Sequence, residues 1–309
     1  MLLVLGLLSC LVVAAIFLWP RERAAEPTTL GAVNTPTSAE PPEPPVDPAR
    51  GRAVEELDEE LQALSDAHAG THGILVFDPS SGESASLNAD RRFIAASLSK
   101  LYALLTLYRG VSQGELSLDD EITMRSSDVW AEGTGVLYRE PVGTTMTLRE
   151  CARVLIKESD NTAEVMLNRY LGEKEIDAEL QDLGADSTTY WLPNITTAND
   201  VMLVLKAISD PSYTSPELST EMLDIMTGTS FEDRLPGQLP EGSRVAHKIG
   251  SYETTFSDAG IVFPEGTEGT DQGYYVVVFS EGATEGEATL AIQEVSLAAY
   301  QALAALDAR

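Results

Sequence analysis

The pattern of apolar residues along the chain predicts a mixed fold of helices and strands. Residues 53–68 carry apolar side chains three or four positions apart, the spacing of one helix face, and residues 289–306 repeat this pattern. Short apolar runs bounded by turn residues predict strands at 73–77, 84–87, 245–249, 256–263 and 274–279. Helical spacing predicts further helices at 95–109, 148–158, 161–171 and 199–208, the last capped by Thr197. The order of these elements predicts an α/β (α+β) fold: an antiparallel sheet of about five strands, flanked by helices, with an inserted all-helical lobe.

The first residues predict attachment to a membrane. Residues 1–19 are continuously apolar or small, which is long enough for a helix that crosses a bilayer, and Pro20 ends the run. We assign residues 1–23 to an N-terminal transmembrane anchor or signal segment. No basic region precedes the run and no small-residue cleavage site follows it, so an uncleaved single-pass anchor is favoured over a secreted, cleaved form. A lipoprotein-like cleavage box ending at Cys10 is a further alternative.

The remaining chain divides into a linker and one folded domain. Residues 24–52 are rich in Pro, Ala, Thr and Glu without apolar periodicity, which predicts a disordered tether. The domain at 53–309 is then expected outside the cytoplasm, although Arg21 and Arg23 weakly favour the opposite orientation. The formal net charge of −29 argues against a nucleic-acid partner, since such binding needs clustered Lys and Arg. The only two cysteines, Cys10 and Cys151, do not suggest a disulfide framework.

Three short motifs carry candidate acyl-transfer chemistry. They are Ser97-Leu98-Ser99-Lys100, Ser159-Asp160-Asn161 and Lys248-Ile249-Gly250. A serine hydroxyl needs a base to become a good nucleophile, and Lys100 lies three residues after Ser97 on the same face of a predicted helix. Lys248 on a strand could attract a substrate carboxylate, and Gly250 would let a substrate backbone approach closely. Each motif alone is weak evidence, because Ser and Asp often cap helices and Lys-x-Gly is frequent.

Together, in this order, the three motifs resemble those of class A β-lactamases and penicillin-binding proteins over residues 53–309. The resemblance implies a β-lactamase/transpeptidase-like fold and a serine hydrolase without metal or other cofactor. It implies that Ser97 is the nucleophile and that Ser159 relays a proton to the leaving group. Asn161 would bind the substrate amide, and the backbone N–H groups of Ser97 and Ser251 would form the oxyanion hole. The implied substrate is a β-lactam or a D-alanyl peptide of the cell wall.

Two departures from the family pattern change the expectation. Ile249 stands where the family has Thr or Ser, so carboxylate binding would fall to Ser251 on the same strand face. The loop at 184–197, expected to hold a glutamate that activates water, contains none. Glu164 matches the letters of that motif but lies in the helix after Asn161, so we expect it not to face an acyl-enzyme. The acyl-enzyme should then persist, and Glu164→Gln should change its release little.

A catalytically silent module that binds wall peptides or a protein partner is the alternative function. The intact serines and lysines oppose it, whereas Ile249 and the missing loop glutamate favour it. No metal pair is expected from the histidines, since His68 and His72 straddle Gly70 and His247 is interpreted as a packed strand residue.

Overall fold

A five-stranded antiparallel sheet lies at the centre of the protein, which we describe from a computed structural model for residues 48–266 and 273–307. The strands are β1 (Thr71–Asp78), β2 (Glu83–Leu87), β3 (Phe93–Ile94), β4 (Glu121–Thr123), β5 (Thr145–Thr147), β6 (Ile195–Thr196), β7 (Arg244–Tyr252), β8 (Thr255–Phe263) and β9 (Tyr274–Glu281). The helices are α1 (Pro48–Ala67), α2 (Ser99–Ser112), α3 (Leu148–Lys157), α4 (Asn161–Leu171), α5 (Glu173–Asp182), α6 (Ala198–Ser209), α7 (Pro216–Met226) and α8 (Glu285–Asp307). The central sheet has the order β2-β1-β9-β8-β7, which confirms the five predicted strands and the predicted fold class.

Successive side chains on a strand point to opposite faces of the sheet, so the central strands contribute to two separate hydrophobic cores. On β1, Ile74 and Val76 join a cluster with α1 and α8, whereas Leu75 between them joins the cluster that holds α2 and α6. Strand β9 divides in the same way, with Val276 on the first side and Val277 on the second. Because both faces of the sheet are covered, β8 and β9 are buried at nearly every position.

The first helix starts earlier than the sequence pattern indicates. Residues 48–52, assigned above to the linker, form the first turn of α1. Arg50 donates two hydrogen bonds of 2.9 Å to the carboxylate of Asp78 at the end of β1. Burial raises the pKa of Asp78, but the hydrogen bonds from Arg50, Ser81 and Ser80 and the charge of Arg50 together outweigh that effect and lower it. A polar partner far along the chain therefore holds this turn against the sheet, and apolar periodicity carries no sign of it.

The helical lobe is built around α2, whose side chains are buried along most of its length. The predicted Thr197 cap of α6 is confirmed, since its side chain accepts a hydrogen bond from the Asp200 N–H. Sequence reasoning missed α5 because that helix is mostly charged and buries only Ile176 and Leu180. It also missed α7, although Ser215 followed by Pro216 is a recognisable helix start.

Within the described ranges, no helix combines the length and apolar character needed to cross a membrane. The predicted anchor at 1–19 and the predicted tether up to residue 47 lie outside the described residues.

Candidate active site

The predicted nucleophile lies in a tight turn at the start of α2. Ser97 is the middle residue of a 3₁₀ turn over Ala96–Leu98. Ala96 has a φ of 49°, a left-handed conformation that residues with a Cβ rarely adopt. Hydrogen bonds hold this turn in place, because the Ala96 carbonyl accepts from Ser99 Oγ at 2.8 Å and from Asn194 Nδ2 at 3.1 Å. Strain of this kind is typical of functional sites, where the surrounding structure enforces it.

Lys100 lies against the nucleophile, as its spacing from Ser97 predicts. Its Nζ is 2.8 Å from Ser97 Oγ and 2.8 Å from Asn161 Oδ1. A third contact of 2.9 Å joins it to Glu164 Oε2. The side chain is 1% exposed, so the three contacts replace its hydration. The structure thus brings Ser97, Lys100 and Asn161 together.

Asp160 organises the second motif, as the sequence suggests. Its buried carboxylate caps α4 by accepting from the Ala163 N–H at 2.9 Å. It also accepts from the Leu137 N–H at 2.8 Å and from the N–H of Val136, which ties the loop before Leu137 to the helix. Asp160 therefore holds the start of α4 and the loop before Leu137 together, and it does so without contacting Ser97 itself.

A second pair of hydroxyl and amine lies beside the first. Lys248 Nζ donates to Ser159 Oγ at 2.9 Å and to the Ile249 carbonyl at 2.9 Å. Burial lowers the pKa of Lys248 well below the usual lysine value, and the charge of Lys100 lowers it further. Lys248 is therefore an amine that gives up a proton readily, placed where Ser159 can receive it.

The glycine of the third motif has a structural reason that differs from the predicted one. A Cβ on Gly250 would lie 2.8 Å from the Ala95 carbonyl oxygen and 2.5 Å from Ser257 Oγ. The close approach is thus between β7 and the nucleophile turn of the protein itself. Only glycine lets strand and turn pack at this distance.

Arg234 is a site residue that sequence reasoning missed. Its guanidinium is 2% exposed and donates to the Gly250 carbonyl at 2.8 Å and to Ser251 Oγ at 2.6 Å. It therefore places a buried positive charge beside Ser251, whose hydroxyl is expected to replace the one that the family has at the position of Ile249. Ile249 itself is buried. No local motif marks Arg234, because it lies in an irregular segment before β7.

The expectation that Glu164 points away from the site is wrong. Its carboxylate contacts Lys100, accepts a hydrogen bond of 2.7 Å from Ser99 Oγ and lines the same cavity as Ser97. Glu164 follows Asn161 by three positions on α4, and residues at this spacing share a helix face. Since Asn161 faces Lys100, Glu164 does as well.

These residues border a cavity of about 340 Å³. Ser97, Lys100, Asn161, Glu164 and Ser251 line it, with Ser159, Lys248 and Gly250 in the layer behind. Three exposed apolar side chains stand around its mouth: Trp130, Leu192 and Tyr252. Leu192 belongs to the segment 184–197, so this loop borders the cavity with an apolar side chain, and its one acid, Asp186, is not among the residues that line the cavity.

His247, on the strand that carries Lys248, is buried in an ion-pair network. Its Nδ1 lies 2.9 Å from both oxygens of Asp258, and its Nε2 lies 3.3 Å from Glu232. Burial lowers the pKa of His247, but the charge and hydrogen bond of Asp258, with those of Glu232, raise it to about 9. His247 is therefore a packed strand residue, as predicted, and it is also a buried cation.

We expect this cation to make the stability of the protein fall in mildly alkaline solution. A raised pKa contributes stability that is complete below the unfolded value of 6.5 and is lost as pH rises through about 9. The loss is on the order of 3 kcal/mol. Urea unfolding of the wild type between pH 6 and 10 should show this decline, and His247→Gln should flatten it. Should that variant not fold, the imidazole NMR resonance of wild-type His247 is the check, and a midpoint below pH 7 would contradict the assignment.

The fold and the site together define a serine hydrolase. A strained turn presents Ser97 to a cavity, Lys100 lies within hydrogen-bond distance, and a second serine with its own lysine stands alongside. A model of the beta-lactamase enzyme family matches residues 56–303. The chain therefore belongs to the β-lactamase enzyme family.

Known β-lactamases resemble the chain over half of its length or more. A β-lactamase of Bacteroides uniformis is 26% identical over 290 residues, which cover 82% of this chain and 93% of that enzyme. A β-lactamase of Amycolatopsis lactamdurans is 33% identical over 164 residues, but these cover only 52% of this chain and 49% of that enzyme.

Solved structures agree with this assignment. The structure of PBP-A is 28% identical with a TM-score of 0.74 and covers 81% of this chain and 96% of that chain. A β-lactamase of Sphaerobacter thermophilus is 29% identical with a TM-score of 0.73 and covers 81% and 98%. The L158E mutant of PBP-A, an acyl-enzyme complex with penicillin G, is 28% identical with a TM-score of 0.75 and covers 82% and 97%.

Proposed function

We propose that this protein forms an acyl-enzyme on Ser97 with a β-lactam or with a D-alanyl peptide of the cell wall. The observation that carries the proposal is the pair of hydroxyls, each with its own amine: Lys100 at 2.8 Å from Ser97 and Lys248 at 2.9 Å from Ser159. One pair can deprotonate the nucleophile and the other can protonate the leaving nitrogen. The acyl-enzyme of PBP-A with penicillin G supports the choice of substrate class.

The reaction balances with the groups in place. Ser97 Oγ forms a bond to the carbonyl carbon of the substrate amide and passes its proton toward Lys100. The C–N bond breaks, and the nitrogen takes a proton from Ser159, which receives one from Lys248. Backbone N–H groups of Ser97 and Ser251 would hold the oxyanion, in line with their place at the cavity.

Recognition of a substrate carboxylate is proposed to depend on charge. Arg234 supplies a buried positive charge beside Ser251, although Ile249 offers no hydroxyl. Because Ser251 Oγ accepts its hydrogen bond from Arg234, its own O–H can be donated to a carboxylate. The exposed Trp130 and Tyr252 would contact the acyl side chain of the substrate.

Intact mass spectrometry followed over time tests the function. Opening of a β-lactam releases no leaving group, so wild-type protein with penicillin G should gain the mass of the whole molecule. A peptide ending in D-Ala-D-Ala should add its mass less one D-alanine. The ratio of the two acylation rates separates the β-lactam from the peptide as the preferred substrate. Unmodified protein in both reactions, with either ligand still bound in a thermal-shift assay, would support the catalytically silent binding module.

We also propose that residues 1–19 anchor the protein in the cell membrane, with the catalytic domain on the extracytoplasmic side. The length and apolar character of this run support the proposal. The full chain should stay with the membrane fraction during alkaline carbonate extraction. Leu11→Arg should release it, since a charge at the centre of a membrane helix is costly. Extraction of the wild-type chain into the soluble fraction would contradict the anchor.

A further inference from the structure

Glu164 occupies a position that the proposed chemistry has not yet used. Its two carboxylate oxygens have separate partners, since Oε1 accepts from Ser99 Oγ at 2.7 Å and Oε2 lies 2.9 Å from Lys100 Nζ. Its side chain is 11% exposed and reaches the cavity that Ser97 lines. The hydrogen bond from Ser99 fixes the carboxylate, so the contact with Lys100 does not depend on a mobile surface side chain.

The contacts of Lys100 explain why a carboxylate is needed there. An ammonium has three hydrogens, and the three neighbours of this one are Ser97 Oγ, Asn161 Oδ1 and Glu164 Oε2. Lys100 must release a proton before its lone pair can take the hydrogen of Ser97. The amide oxygen of Asn161 is not a base, whereas a carboxylate is. Of the three neighbours, Glu164 is the group that can receive this proton.

We propose that Glu164 is the proton acceptor behind Lys100. As Ser97 Oγ bonds to the acyl carbon, its hydrogen passes to Lys100 Nζ, and a hydrogen of Lys100 passes to Glu164 Oε2. The carboxylate becomes a neutral acid and Lys100 remains an ammonium. Before release, Glu164 returns this proton through solvent to Lys248, which gave one to the leaving nitrogen. The carboxylate can then take a proton from the attacking water by way of Lys100, and Lys100 returns one to Ser97 Oγ as the ester bond breaks. The inference rests on the proposed function, and it gives a site with no glutamate in the loop at 184–197 a base on α4 instead.

The groups that face Glu164 come from four parts of the structure. Lys100 and Ser99 belong to α2, and Asn161 belongs to α4 itself. The ammonium of Lys248 on β7 and the buried hydroxyl of Tyr190 in the segment after α5 also interact electrostatically with Glu164. The pH dependence of the acylation and release rates therefore belongs to this group of residues as a whole. Glu164→Gln should shift the entire rate profile along the pH axis.

The test is single-turnover acylation by penicillin G and release of the acyl group, each measured from pH 5 to 10. Glu164→Gln keeps the size and the acceptor for Ser99 but removes the base, so we expect both rates to fall about 10²–10⁴-fold at pH 7. The variant should then gain rate with rising pH over a range where the wild type is flat. Glu164→Asp should restore part of the rate. Glu115→Gln, an exposed change of equal charge, is the matched control and should behave as wild type.

The possible outcomes separate the proposals. If Glu164 only held Lys100 as an ammonium, its removal would leave acylation unchanged or make it faster, and the inference would be wrong. A uniform loss at every pH, without a shift of the profile, would show a structural role and would also overturn it. If wild-type protein is not acylated at any pH, the failure belongs to the proposed function and not to Glu164.

Discussion

Ser97→Ala is expected to abolish covalent modification of the protein by penicillin G. The variant removes the only hydroxyl that lies 2.8 Å from Lys100 Nζ among the contacts described for that amine. The fold should survive, because the buried core below the turn is unchanged and Ala fits the same backbone. The measurement is intact mass after prolonged incubation, in which wild type should gain one adduct and the variant none.

Ser99→Ala is the matched control for this experiment. Ser99 lies in the same motif, and its single O–H is shared between Glu164 and the Ala96 carbonyl instead of facing Lys100. We expect this variant still to form the adduct, at a lower rate because it loosens Glu164. An adduct of unchanged rate and mass in Ser97→Ala would show that another residue is the nucleophile, and peptide mapping would locate it.

Lys100→Arg is expected to reduce acylation about 10²–10⁴-fold, the contribution typical of general base catalysis. A guanidinium keeps the positive charge and the donors to Asn161 and Glu164, but it cannot lose a proton in a protein. The variant therefore separates the base from the charge. The measurement is the single-turnover acylation rate with penicillin G, with circular dichroism to establish that the fold is intact.

Lys174→Arg is the matched control, because Lys174 is exposed on α5 and lies away from the cavity. It should acylate at the wild-type rate. Near-normal acylation in Lys100→Arg would end the assignment of Lys100 as the base. The second amine of the site, Lys248, would then be the next residue to test, since its lowered pKa suits it to proton transfer.

Local patterns predicted much of the fold because both of its cores follow from alternation and helical spacing. The strands β1, β7, β8 and β9 were found within a few residues of their ends, since burial on both faces gives each of them a short apolar run. The charged helix α5 was not found, because two buried apolar residues are too few to give a periodic signal. Residues 48–52 of α1 were not found either, since their contact with the sheet is made by Arg50 with the distant Asp78.

Most of the candidate site was also predicted. The orientation of Glu164 was predicted wrongly, although the sequence held the information to predict it. The rule that places Ser97 beside Lys100 at a spacing of three also places Glu164 beside Asn161 on α4. Applied to both pairs, it would have turned Glu164 toward Lys100, where the structure has it. Arg234 was beyond this kind of reasoning, since its contacts with Gly250 and Ser251 cross from an irregular segment to a strand.

By itself, the sequence determined the order of the five main strands and of most helices, the family, and the residues that carry hydroxyls and amines, because these depend on local spacing and on short motifs. Only the tertiary structure decided which polar and charged side chains contact one another. It set Glu164 and Asn161 against Lys100, Lys248 against Ser159, and Arg234 under Ser251. The physical reason is that buried charges are stable only with partners, and the identity of a partner far along the chain is fixed by how the helices pack on the sheet.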